Sequence, residues 1–167
     1  SFSDPEALNT TYVPGAEDLQ NGGTEICRTA LSEGPCPEFS DCLTLTIQPG
    51  PQVNAGEDAT ICETENVQLN GTAQDYLSVF WTSNGSGGFS NPQTLDPVYI
   101  PSDDDIENGT VELCLKANGL NGCGNVTDCL TVVIFKVPEA DAGPDATICD
   151  NESIVLSGIA ENYASFT

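Results

Sequence analysis

Apolar and polar residues alternate with a period of two along much of this chain, in short runs separated by clusters of Gly, Asn, Asp and Pro. That alternation sends every second side chain to one face, so the runs predict half-buried β-strands. The clearest set lies between 51 and 136. Residues 52–62, QVNAGEDATIC, read as a first strand kinked at its glycine, and ENVQLNGTA (65–73) as a second. YLSVFWTS (76–83) turns Leu77, Val79 and Trp81 inward. NGSGG (84–88) reads as a flexible turn. A short strand at Val98–Ile100 lies between two prolines, which suits a sheet edge. SDDDIENG (102–109) predicts a short helix: Ser102 caps it, three acids complement its dipole and Gly109 stops it. TVELCLKA (110–117) and VTDCLTVVIF (126–135) then form two strands around the loop NGLNGCGN, with Val111, Leu113, Leu115, Leu130, Val132 and Ile134 inward.

The pattern occurs more than once. At an offset of 87 residues the chain aligns with itself without a gap, and 32 of the 80 overlapping positions are identical. Cys27 meets Cys114, Cys36 meets Cys123, Cys42 meets Cys129 and Cys62 meets Cys149. NAGEDATIC (54–62) meets DAGPDATIC (141–149). A fixed period of this length marks a repeat architecture. The expected organisation is one complete repeat at 51–136, the C-terminal part of another at 1–50, and the N-terminal part of a third at 137–167. About seven short strands per repeat, with turn signals between them, predict an all-β fold: tandem immunoglobulin-like β-sandwiches. Partial sandwiches expose apolar faces. The expectation is therefore a window on a longer array, and the alternative is that the tail of one chain completes the head of the next by strand complementation.

Composition narrows the function classes. There are 26 Asp+Glu against 3 Lys+Arg, a net charge of -23. Arg28, Lys116 and Lys136 form no basic patch, so the phosphate neutralisation that nucleic-acid binding needs is missing, as is attraction to anionic membranes. No run approaches the length of a membrane span. There is no Met, and the stretch SFSDPEALNT has neither a basic region nor an apolar run, so the chain is expected to begin within a longer protein, with no signal peptide here. With no His, Ser-His-Asp and Cys-His chemistry are impossible within the segment, and no enzyme activity is expected.

Eight Cys at repeated spacings, without CxxC pairs or His, point to disulfides and hence to an oxidising, extracellular location. Folding the 110–135 hairpin around Asn121 and Gly122 puts Cys114 opposite Cys129 on the outer face, and Cys27 and Cys42 share that spacing. Cross-strand disulfides 114–129 and 27–42 are predicted. Cys62, at the turn after the first strand, and Cys123, in the hairpin loop, fall at opposite ends of such a sandwich. Two pairings remain open for them and for their counterparts Cys149 and Cys36: a bond within one repeat, or a bond joining successive repeats.

The stretch NAGEDATIC, the strand ending in Trp81 and the hairpin TVELCLKANGLNGCGNVTDCLTVVIF resemble the PKD (polycystic kidney disease) domain family. FSNPQTLDPVYIPSDDDIENGTVEL is similar to PKD-like and immunoglobulin-like repeats of very large Bacteroidota surface proteins, including gliding-motility adhesins secreted by the type IX pathway. The PKD pattern's WDFGDG stands here as WTSNGSG, and Cys114 and Cys129 are extra. The resemblance implies a cell-surface stalk or filament whose partners are neighbouring repeats, with the distal ligand carried elsewhere. The alternative function is an accessory or glycan-binding module of an extracellular polysaccharide-active protein.

No cofactor is expected, and calcium is the one alternative the residues suggest. Asp103, Asp104 and Asp105 cluster as a hard cation prefers, and Asp58 and Asp145 recur near the repeat junction, where a cation can bridge. The competing roles are helix-terminal acids and a cap on the strand kink. Sequons at Asn9, Asn70, Asn84, Asn108, Asn125 and Asn151 fall in turns, where such triplets arise easily.

Overall fold

A computed structural model of the chain describes residues 1–165. The first part carries helix α1 (Ala16–Asn21) and a hairpin of β1 (Gly23–Ala30) and β2 (Phe39–Thr46). Residues 51–136 carry β3 (Gln52–Asn54), β4 (Ala59–Cys62), β5 (Val67–Gln68), β6 (Thr72–Gln74), β7 (Tyr76–Ser83), β8 (Gly88–Phe89), β9 (Val98–Ile100), helix α2 (Asp103–Asn108), β10 (Thr110–Gly119) and β11 (Asn125–Phe135). The last part carries β12 (Glu139–Asp141) and β13 (Ile159–Glu161). Elements recur at the 87-residue offset. The helices α1 and α2 match end to end, and the pairing Gln52↔Gln74 of β3 and β6 returns as Glu139↔Glu161 in β12 and β13.

Residues 51–136 form an all-β, immunoglobulin-like sandwich. One sheet runs β4-β11-β10-β7; across the core stand β5-β9-β8 and the β3-β6 pair. The alternation in β10 and β11 does what its period dictates. Val111, Leu113, Leu115, Leu130, Val132 and Ile134 are buried, and they meet Trp81, Val79, Val67, Leu69 and Tyr99. Phe89 links the aromatic part of this core, with ring centroids 4.9 Å from Tyr99 and 6.3 Å from Trp81.

Long-range pairing altered four local expectations. The first strand is two: β3 pairs antiparallel with β6, then the chain crosses over and β4 pairs parallel with β11. The second strand is likewise broken, β5 joining β9 and β6 joining β3. The strand Val98–Ile100 is not an edge but the centre of its three-stranded sheet, because its flanking prolines lie just outside the paired residues. Leu77 faces solvent at 69% exposure, although Val79 and Trp81 on the same strand are buried. Asp75 enters β7 with φ 54°, and the register with β10 shifts between Asn118 and Gly119, so the start of β7 overhangs the core.

Candidate functional site

Three features of the sandwich bear on function: the stapled hairpin, a buried carboxylate and the two poles. The hairpin comes first because its geometry is local. β10 and β11 are antiparallel with Cys114 opposite Cys129, and the two sulfurs are bonded at 2.11 Å. β1 and β2 repeat this with Cys27 opposite Cys42, bonded at 2.12 Å. Both bonds lie on the face turned away from the inward-pointing residues.

The buried carboxylate is Asp105, 1% exposed in the first turn of α2. Burial alone would raise its pKa, but four donors reverse that and hold it below the usual carboxylate range. Its Oδ1 accepts from Ser86 N at 3.1 Å. Its Oδ2 accepts from Gly87 N and Ser102 N, both at 3.0 Å, and from the Tyr99 hydroxyl at 2.8 Å. Burial, with Asp105 next to it, pushes the Tyr99 hydroxyl up. The loop NGSGG is therefore not a flexible turn. It is wrapped on the carboxylate so closely that a Cβ on Gly85 would come within 1.9 Å of Asp105 Oδ1, and one on Gly87 within 2.6 Å of Oδ2. Sequence reasoning missed this role, yet a signal existed. Tyr12 and Asp18 stand 87 residues before Tyr99 and Asp105, and Tyr12 Oη donates to Asp18 Oδ2 at 2.6 Å.

The aspartates expected to hold calcium do not converge. Both Asp105 oxygens are occupied by protein donors, Asp104 accepts from Ser86 Oγ at 3.0 Å, and Asp103 is exposed. Asp58 sits between β3 and β4, where its Oδ1 accepts from Thr131 N at 2.7 Å and fastens the crossover to β11. Asp145 is exposed between β12 and β13. Among the described residues, the compact groups of potential metal ligands are Glu25 with Cys27 and Cys42, and Glu112 with Cys114 and Cys129. Their sulfurs are in disulfides, so they offer no thiolate.

The poles are defined by the strand that runs between them. At one end of β11 the hairpin turn carries Cys123, and Pro51 packs there: a Cβ on Gly119 would lie 2.9 Å from its ring. At the other end Phe135 is in parallel register with Cys62, and Val137 N donates to Glu63 Oε1 at 2.9 Å. Cys62 is held by a turn in which its N–H donates to Glu65 Oε2 and its carbonyl accepts from Glu65 N, both at 2.9 Å. Strand β11, which begins two residues after Cys123, runs from Asn125 to Phe135 and so spans about 33 Å. A disulfide allows roughly 7 Å between Cα atoms, so a Cys62–Cys123 bond within one repeat is ruled out. Cys36, Cys62, Cys123 and Cys149 are all unbonded, Cys36 and Cys149 exposed, Cys62 and Cys123 half-buried.

No family model and no curated protein matches the chain. Among solved structures it is similar to Drosophila N-cadherin EC1-3, at 16% identity and a TM-score of 0.40, over 58% of this chain and 38% of that one. It is also similar to the extracellular cadherin domains 1-4 of protocadherin gamma B7, at 15% identity and a TM-score of 0.44, over 86% of this chain and 41% of that one. The chain thus spans less than half the length of either. Both are cadherin extracellular segments, built of β-sandwich domains. Among the described residues no helix is long and apolar enough to cross a membrane.

Proposed function

We propose that this chain is a stalk segment of a large secreted cell-surface protein, of the kind found in Bacteroidota gliding-motility adhesins exported by the type IX pathway. In this role tandem PKD-like repeats hold a distal binding region away from the cell. The observation that carries the reading is polar: the chain enters the 51–136 sandwich beside the hairpin turn and leaves it at the far end of β11. Modules that receive and release the chain at opposite ends add length when joined in series, each by about 35–40 Å. Supporting features are the outward-facing disulfides, which suit an oxidising exterior, and the net charge of -23, which keeps neighbouring stalks apart. The partners implied are the neighbouring repeats and, through them, a filament.

An antibody raised against the chain tests this on intact cells of the source organism. Labelling of unpermeabilised cells, with the label standing off the envelope, is the expected result. Labelling only after permeabilisation would rule the stalk out.

One observation favours the second reading, a glycan-binding module. Tyr76, Leu77 and Phe80 are exposed along the edge strand β7 and line a shallow groove with Asn118. Trp81, the residue best suited to sugar stacking, is spent in the core at 1% exposure. Saturable binding of a soluble polysaccharide, lost on Tyr76→Ala, would favour the module over the stalk.

A further inference from the structure

We infer that Cys62 of each repeat forms a disulfide with the Cys123 counterpart of the repeat that follows, so that every junction of the array is covalently closed. This rests on the tandem-repeat reading and supplies the chemistry of the joint.

The geometry points to one backbone position that touches both cysteines. Cys123 Sγ lies 3.8 Å from the carbonyl oxygen of Gln48, and Asn121 Nδ2 donates to Gln48 Oε1 at 3.4 Å. The hairpin turn therefore sits on residue 48, two residues past the end of β2 in the preceding repeat. The 87-residue counterpart of Gln48 is Phe135. The local frame is the same at both: Ile47 N donates to Gly22 O, and Ile134 N to Gly109 O, each at 2.9 Å. Phe135 is the register partner of Cys62, and its carbonyl accepts from Glu63 N at 2.9 Å, so that carbonyl points at the strand carrying Cys62. Carried forward by one repeat, the Cys123-type sulfur approaches this same oxygen, the one that faces the strand carrying Cys62. Strands in such a pair are about 4.8 Å apart, which brings the two residues within disulfide reach.

The rule also accounts for all four unbonded cysteines. Cys62 requires a Cys123 counterpart one repeat later, and Cys123 a Cys62 counterpart one repeat earlier. Neither falls within the 167 residues, and the same holds for Cys149 and Cys36. Closing the bond joins Sγ to Sγ, releases two protons and passes two electrons to a disulfide oxidant, which is reduced to two thiols.

A chain in which residues 51–137 occur twice in succession, between unchanged flanks, supplies both members of one joint. It is oxidised with glutathione disulfide, and the monomer fraction is cut without reduction by a protease specific for glutamate, which keeps Cys114, Cys123 and Cys129 on one peptide. The expected product is a peptide pair linked through Cys62 and Cys123. Cys62→Ser in the first copy, or Cys123→Ser in the second, abolishes it; the same substitutions in the opposite copies leave it intact. If both copies form their Cys114–Cys129 bonds and no Cys62–Cys123 link appears, the inference fails and the repeat reading stands. If the second copy fails to form its own hairpin bond, the repeat reading fails and the inference with it.

Discussion

The hairpins β1–β2 and β10–β11 are the same device in two settings. Register, cysteine placement and disulfide are equivalent, with Ile26↔Leu43 standing where the other has Leu113↔Leu130. Only the surroundings differ. Leu113 and Leu130 are buried beneath the sheets that complete the sandwich, whereas Leu43 is 58% exposed. Among the described residues β1 and β2 pair only with each other, while β10 and β11 are flanked by β7 and β4. The carboxylates differ in the same way: Asp105 is fully buried and enclosed by its loop, whereas Asp18 makes its tyrosine contact only half-buried. A hairpin with its staple is thus specified by some twenty-five local residues, but a core needs partners distant in sequence.

The largest expected effect is on the core. Leu113→Ala should destabilise the 51–136 sandwich by about 4 kcal/mol, read from denaturant melts of the full chain, because a fully buried leucine leaves a cavity. Ile26→Ala at the matching site should leave that transition unmoved; an equal loss would mean the first hairpin shares the core after all.

Next comes the staple. Replacing Cys114 and Cys129 by Ser together should cost about 3 kcal/mol, the chain-entropy value for a loop of this size. Removing Cys27 and Cys42 should instead abolish protection of the β1–β2 amides from hydrogen exchange and spare the sandwich. A sandwich indifferent to loss of the 114–129 bond would break the comparison.

Asp105→Asn should cost about 2 kcal/mol near neutral pH, since an amide cannot accept from all four donors, while Asp18→Asn leaves the core transition in place. The sign of its pH dependence follows from the lowered pKa. A carboxylate bound more tightly in the folded chain stabilises at pH above its unfolded value of about 3.9 and loses that contribution as pH falls through the folded value. The gap between wild type and Asp105→Asn should therefore close in acid; a gap constant down to pH 2 would mean the charge is not what the loop grips. The smallest effect concerns calcium. With Asp105 saturated and Asp58 bonded to Thr131 N, millimolar Ca²⁺ should shift the melting midpoint by less than about 1 °C, against a shift of roughly 5 °C for each kcal/mol in a domain of this size.

What could be read in the sequence was what local order decides. The alternation of β10 and β11, the reflection of Cys114 onto Cys129 and the capped turn between Ser102 and Gly109 are all set within a few residues, and the structure has each of them. The split of 52–62 between two sheets, the central place of Val98–Ile100 and the exposure of Leu77 depend on which strands arrive from elsewhere, and no local period encodes that. The grip of NGSGG on Asp105 was hidden for another reason. A glycine-rich segment looks mobile by composition, when here its missing side chains are what let the backbone close on a charge.

The parallel pairing of β4 with β11 has a consequence under tension. Force on an array pulls the early strand β4 toward one pole and the late strand β11 toward the other, along the line of the strands themselves. The register from Val132↔Ala59 to Phe135↔Cys62 is then loaded in shear, with its hydrogen bonds bearing load together instead of opening one after another. Should that clamp yield, the Cys114–Cys129 bond still ties β10 to β11 across the hairpin, which shortens the chain that each yielding repeat can release.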